Sequence, residues 1–178
     1  GGSQGAHRVN LLMLEAAEVL VAEGRPVRII HQTGTADEAT VREGYRRIGV
    51  EAEVSAFIRD MAGVYRRADL AVSRAGATTL AELAVMGLPA LLVPYPYAAD
   101  NHQLTNGKYY EKTGGCVVVE EAGLTGEILG KAVSERLHNR EELHTMAAKM
   151  RAMALPDAAL RIVDECLRLV SSRSGKPF

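Results

Sequence analysis

The sequence predicts an α/β fold, a parallel β-sheet with helices on both faces, and three observations point there. Short, nearly continuous apolar runs alternate with helical patterns up to about residue 120, which is how βαβ units with doubly buried strands read. Small-residue turns at residues 1–6 and 73–79 lead directly into helices. The chain has 178 residues, 47% of them hydrophobic, enough for one soluble domain with its own core.

The opening Gly1-Gly2-Ser3-Gln4-Gly5-Ala6 reads as a glycine-rich turn feeding a helix from His7 to Glu23. Gly1, Gly2 and Gly5 let a backbone approach an anion, Ser3 can cap the first turn, and a helix N-terminus carries partial positive charge. The turn therefore suits a phosphate; an ordinary strand-to-helix turn is the other reading. Such a turn normally follows a buried strand. The chain is accordingly expected to be a piece of a longer protein, with that strand and an N-terminal domain upstream.

Strands are then expected at Val27 to His31, Ala52 to Phe57, Leu70 to Ser73, Ala90 to Val93 and Cys116 to Glu120. Helices are expected between them, at Asp37 to Ile48, Asp60 to Arg67, Thr79 to Met86 and Asn101 to Lys112. From Leu124 onward the pattern is helical only: Leu124 to His138, Arg140 to Met153 and Ala158 to Val170, with Pro156-Asp157 as a turn and N-cap. Residues 1–170 thus form one domain, and 171–178 a flexible polar tail. The uncharged run from Leu83 to Ala99 is broken by Gly87, Pro89, Pro94 and Pro96. It is shorter than the roughly 20 apolar residues of a bilayer helix.

A net charge of -1, dispersed basic residues and 4% aromatic content give no footprint for nucleic acid. Cys116 and Cys166 form neither a metal-ligand spacing nor a disulfide framework. Both are expected in the core of a protein from a reducing cytoplasm.

Ligands of open parallel sheets bind beyond the carboxyl ends of the strands, where residues 1–6, 57–61, 73–82 and 94–106 all fall. In Ser73-Arg74-Ala75-Gly76-Ala77-Thr78-Thr79, Gly76 permits close approach, and the amides near Ala77, Thr78 and Thr79 face an anion. Glu82 has two readings: a carboxylate that takes both hydroxyls of a vicinal diol such as a ribose, or the far end of a Thr79-x-x-Glu82 capping box. Asp100-x-x-Gln103 is again a capping-box spacing. The cluster Asp100, Asn101, His102, Gln103 and Asn106, however, offers more donors and acceptors than a cap uses and suits a polyhydroxyl ligand. His102 reads as a base or a hydrogen-bonder, and His7, His31, His138 and His144 as solvated or structural. No Asp-x-Asp is present to hold a divalent ion on a diphosphate, so its charge would be met by amides and helix dipoles, with no metal and no cofactor. Gly-Lys-Ser/Thr is also absent, which weakens a P-loop reading.

Over nearly its whole length the chain resembles the C-terminal, donor-binding half of the MurG family of peptidoglycan glycosyltransferases. The motifs are Gly1 to Ala6, Phe57-Ile58-Arg59-Asp60-Met61, Arg74-Ala75-Gly76-Ala77-Thr78-Thr79 with Glu82, and Gly87-Leu88-Pro89 through Asp100, Gln103 and Asn106. The resemblance implies a Rossmann-like half of a two-domain GT-B enzyme. That enzyme transfers N-acetylglucosamine from UDP-N-acetylglucosamine to lipid I, forming lipid II, with inversion. It implies uracil read by the main chain at Ile58, ribose by Glu82, diphosphate by Ser3 and the amides of Ala77 to Thr79, and sugar by Gln103. Where family members often carry a second Gln this chain has His102, and His102 and Asn106 stand as further sugar contacts. The catalytic base, the lipid I surface and the contact with the cytoplasmic face of the cell membrane are implied for the N-terminal domain. Two alternatives remain: another UDP-sugar enzyme of this fold, such as a diacylglycerol galactosyltransferase or an epimerase, and a stand-alone donor-binding subunit that needs a separate acceptor subunit.

Overall fold

The computed structural model describes residues 6–24 and 26–174, with side chains described to residue 170. In chain order the elements are α1 (His7–Ala22), β1 (Arg28–Gln32), α2 (Glu38–Ile48), β2 (Glu51–Ser55), α3 (Met61–Arg67), β3 (Ala71–Ser73), α4 (Ala77–Met86) and β4 (Ala90–Leu92). A single 3-10 turn (Ala99–Asn101) then leads into α5 (His102–Glu111), β5 (Cys116–Val118), α6 (Gly126–His138), α7 (Arg140–Ala152) and α8 (Ala158–Ser174). All strand pairs are parallel, as the alternation predicts. They form two sheets: β1 beside β2, and β3-β4-β5 with β4 central.

The apolar run at Ala90 to Val93 shows why β4 is central. Leu91 and Val93 pack against Val9, Leu12, Ala16 and Leu20 of α1 and Leu129 and Val133 of α6. Ala90 and Leu92 face the other way, onto Leu80, Leu83 and Ala84 of α4 and Met150 of α7. Alternate residues thus serve two cores, so a strand buried on both faces must be apolar throughout. A smaller core of Ala17, Val41, Tyr45 and Val54 joins α1, α2 and β2. Glycine permits the closest helix contact: a Cβ on Gly126 would lie 1.9 Å from the Glu15 Cβ.

Helix limits follow local chemistry. Gly49 (φ 80°) and Gly87 (φ 63°) close α2 and α4 in the left-handed conformation. Asp60 caps α3 by accepting from the Gly63 N–H at 2.8 Å, and Asn139 caps α7 by accepting from the Glu142 N–H at 3.0 Å. Thr125 caps α6 through the Ile128 N–H at 3.2 Å. Thr125→Ala should therefore lower stability by about 1 kcal/mol in a urea titration, the usual cost of a lost cap.

Three expectations need correction. The fourth helix starts at Ala77 rather than Thr79, because Gly76 is extended (ψ 142°) and its carbonyl already accepts from the Leu80 N–H at 3.0 Å. The last helix runs four residues past Val170, to Ser174, and residues 175–178 lie outside the described residues. Cys166, expected in the core, is exposed, since it sits on α8 with Leu160, Ile162, Val163 and Leu167, each more than half exposed. Cys116 is buried as expected, and burial, with the nearby Glu111 charge, pushes its thiol up to about 12. No helix among the described residues is long and apolar enough to cross a membrane.

Candidate functional site

The loops beyond β2 and β3 and the start of α4 line part of a cavity of about 1430 Å³, with Ile58, Tyr65, Thr78, Thr79 and Glu82 among its wall residues. The parallel arrangement brings them together, since each loop leaves the same end of its sheet.

Glu82 does not close a capping box. The helix begins at Ala77, so Glu82 lies a turn and a half inside it, and its Oε2 accepts a hydrogen bond from the Tyr65 hydroxyl of α3 at 2.9 Å. Burial, that hydrogen bond and the Glu82 charge together push the Tyr65 phenol well above its ordinary range. Tyr65 stays a neutral donor and fixes one carboxylate oxygen, leaving the other directed by the pair. Ala77 and Thr78 are exposed and Thr79 half-buried. The first N–H groups of α4 have no acceptor within the helix, which makes this end suited to an anion. Ser3 lies outside the described residues.

Ile58 presents its main chain in the loop after β2, and its N–H donates to the Gln32 Oε1 at 2.8 Å. Gln32 ends β1 in register with Ser55, so a side chain of one strand holds the loop that leaves its neighbour. A base read at Ile58 would use its carbonyl, or take the N–H from Gln32.

The capping box that the Asp100-x-x-Gln103 spacing would allow is also absent. Asp100 (φ 49°) and Asn101 (φ 52°) both sit in the left-handed region, a conformation Asp and Asn tolerate better than other side chains. The reversal starts α5 at His102 and turns Gln103 back toward the sheet. There its Oε1 accepts from the Ala75 N–H at 3.2 Å and the Tyr95 N–H at 3.0 Å. The Gln103 carbonyl thus ties the loops after β3 and β4 together, and its amide NH2 is the group left to meet a ligand. His102 shares its helix face with Asn106, and Gln103 with Asn106, by i,i+4 and i,i+3 spacing. His102 is exposed, and its Nδ1 donates to the Ala99 carbonyl at 2.7 Å, so Nε2 is the outward nitrogen.

Sequence spacing gave no signal for several supporting residues. Arg74 Nη1 lies 2.6 Å from Glu121 Oε2, with both side chains largely buried. It also donates to the Val93 and Pro94 carbonyls at 3.1 Å, and the guanidinium stands 5.3 Å from the Tyr95 ring centroid. It therefore braces the loops after β3, β4 and β5 rather than facing outward. On the other side, Asn10 Nδ2 donates to the Thr33 carbonyl (2.9 Å) and to Asp37 (2.7 Å). Asn10 Oδ1 accepts from His31 Nε2 at 3.0 Å, and His31 Nδ1 accepts from the Tyr45 hydroxyl at 2.8 Å. Burial raises the Asp37 carboxyl, but hydrogen bonds from His7 and Asn10 outweigh this and hold it below its usual range. Among the described residues no group of three or more His, Cys, Asp or Glu is arranged to hold a metal ion.

Residues 1–162 match the model of the glycosyltransferase family 28 C-terminal domain. The curated UDP-N-acetylglucosamine–N-acetylmuramyl-(pentapeptide) pyrophosphoryl-undecaprenol N-acetylglucosamine transferase of Anaeromyxobacter sp. (strain K) is 45% identical over 100% of this chain and 46% of the relative. The protein of the same name from Desulfotalea psychrophila is 46% identical over 96% of this chain and 47% of its own length. A crystal structure of Acinetobacter baumannii MurG superposes with a TM-score of 0.86 at 35% identity, covering 94% of this chain and 48% of that one. The chain spans about half the length of these relatives.

Proposed function

The chain belongs to the glycosyltransferase family 28 C-terminal domain family, and from that premise we propose that it is the donor-binding half of a transferase using UDP-N-acetylglucosamine. The observation that carries the reading is the Tyr65–Glu82 pair at 2.9 Å, a carboxylate oriented by a neutral donor in the wall of the cavity that the Ile58 loop and the start of α4 also line. In this arrangement Glu82 takes the ribose hydroxyls, the main chain at Ile58 reads uracil, and Ser3 with the first amides of α4 receives the diphosphate. The Gln103 amide reaches the sugar, with His102 and Asn106 beside it.

The acceptor is lipid I. Its sugar hydroxyl oxygen bonds to the anomeric carbon as the bond from that carbon to the diphosphate oxygen breaks. UDP leaves with the electron pair, the hydroxyl proton passes to a base, and the anomeric centre inverts. This chain stabilises the leaving diphosphate by fixed amides and a helix end, which need no reorganisation as charge develops. The base, the lipid I surface and the contact with the inner face of the cell membrane belong to the N-terminal domain of the whole enzyme.

Calorimetry with UDP and UDP-N-acetylglucosamine, alongside a lipid II assay, tests this division of labour. Weak binding of both by the 178-residue chain, without turnover, is the expected result; turnover by this chain alone overturns it. The sugar contact has its own test. Gln103→Glu keeps an oxygen for the Ala75 and Tyr95 amides but removes the NH2, so thermal stability should hold. Affinity for UDP-N-acetylglucosamine should fall about tenfold relative to UDP, roughly one hydrogen bond. Equal losses for both ligands would confine Gln103 to positioning the loops.

A further inference from the structure

We propose that Gln32 is a positioning residue that sets the choice of base, making Ile58 a reader of pyrimidines that carry a proton on N3. The inference rests on the reading of uracil at the Ile58 main chain and names the side chain that gives that reading its selectivity.

Local structure puts Gln32 there. It is the last residue of β1, in register with Ser55 at the end of β2. The two chains stay paired a little further: the Thr33 N–H donates to the Ser55 carbonyl and the Gly34 N–H to the Ala56 carbonyl, each at 3.0 Å. Gly34 then takes the left-handed conformation (φ 78°), which glycine adopts without strain, and turns the chain away. Among the described residues no further main-chain bond joins the two segments. The Gln32 side chain reaches across instead, its Oε1 accepting from the Ile58 N–H at 2.8 Å. Asp60 secures the far end of the same loop by capping α3. A loop tied at Ser55, Ala56, Ile58 and Asp60 has little freedom to turn its peptides over. Gln32 and Ile58 both line the cavity that Tyr65 and Glu82 also line.

The chemical consequence is a subtraction. Each residue's main chain offers one donor and one acceptor. With its N–H spent on Gln32, Ile58 has its carbonyl left for a ligand, and no donor among the described residues bonds that carbonyl. A lone acceptor pairs with a donor and repels another acceptor. Uracil carries an N–H at position 3, whereas cytosine carries a lone pair there and keeps its nearest donor on the neighbouring C4 amino group. A ribose held by Glu82 fixes which ring atom meets Ile58, so cytosine cannot slide along to offer that amino group. A free Ile58 N–H would erase the distinction, because a donor beside the carbonyl pairs with uracil O4 or with cytosine N3 alike. Gln32 therefore selects the base without touching it.

Calorimetry with UDP and CDP on the unaltered chain and on three Gln32 variants tests this. The unaltered chain should prefer UDP. Gln32→Met, of similar length but without the acceptor, and Gln32→Ser, too short to reach Ile58, should each narrow that preference at least about tenfold, roughly one hydrogen bond. Gln32→Glu keeps the acceptor and should keep the preference, since repulsion between its charge and the diphosphate falls equally on both nucleotides. A merely structural role would weaken both nucleotides and leave their ratio alone, and that result overturns the inference. So does tighter UDP binding with the preference intact in Gln32→Met, which would make Gln32 a placeholder that uracil displaces. In either case the reading of uracil at Ile58 stands. Equal affinity of the unaltered chain for UDP and CDP, or none for either, overturns that reading and the inference together.

Discussion

Glu82→Ala is expected to weaken UDP binding by about 1.5–3 kcal/mol, roughly 10- to 150-fold, the range for hydrogen bonds to a charged group. Its effect on thermal stability should be small, because Glu82 caps no helix and is exposed, bonding only outward to Tyr65. Two further variants locate the effect. Tyr65→Phe leaves the carboxylate but frees its rotation, so affinity should fall less than in Glu82→Ala. Glu82→Gln keeps size and one acceptor oxygen, so it should fall between the two. Isothermal titration of UDP and of 2′-deoxy-UDP completes the argument: the deoxy ligand has already lost one contact, so Glu82→Ala should cost it less than it costs UDP. Equal losses for the two nucleotides would move Glu82 away from the ribose, and unchanged affinity would remove it from the site.

The fold was legible because its signals are local and redundant. The run Ala90 to Val93 reads as a doubly buried strand by composition alone, and it is one, with Leu91 and Leu92 facing opposite cores. Gly49 and Gly87 end helices where a positive φ is needed. The site was harder to read, for a definite reason. Thr79-x-x-Glu82 and Asp100-x-x-Gln103 have capping-box spacing, but an i,i+3 pair caps only if the helix begins at its first member. That start is decided by the Gly76 carbonyl in one case and by two left-handed residues in the other. Contacts such as Tyr65 with Glu82, Gln32 with Ile58 and Arg74 with Glu121 join different elements. No local spacing encodes them, so Gln103 was readable as a polar loop residue but not as the tie between two loops.

Acid should destabilise the chain through one buried side chain before its carboxylates matter. Burial lowers His31 from its ordinary 6.5 to about 4, so the folded chain keeps it neutral while the unfolded chain binds a proton. Stability is therefore complete above about pH 6.5, declines as pH falls toward 4 and levels off below, a loss of about 3 kcal/mol for a shift of this size. Burial supplies the reason. Asn10 Oδ1 takes the Nε2 proton and Tyr45 donates to Nδ1, so a second ring proton forces that hydroxyl to turn from donor to acceptor and leaves a charged ring in the interior between α2 and β1. Asp37, held below its usual range by His7 and Asn10, adds its own loss only at lower pH. Urea titrations from pH 7.5 to 4 should show the decline in the unaltered chain and a flatter profile in His31→Gln, which is less stable at pH 7 because Gln cannot fill the ring's volume. Parallel slopes in the two proteins would place the proton uptake on another group. A flattened slope would tie the start of α1, and with it the turn proposed to receive the diphosphate, to the charge state of a histidine that never meets the ligand.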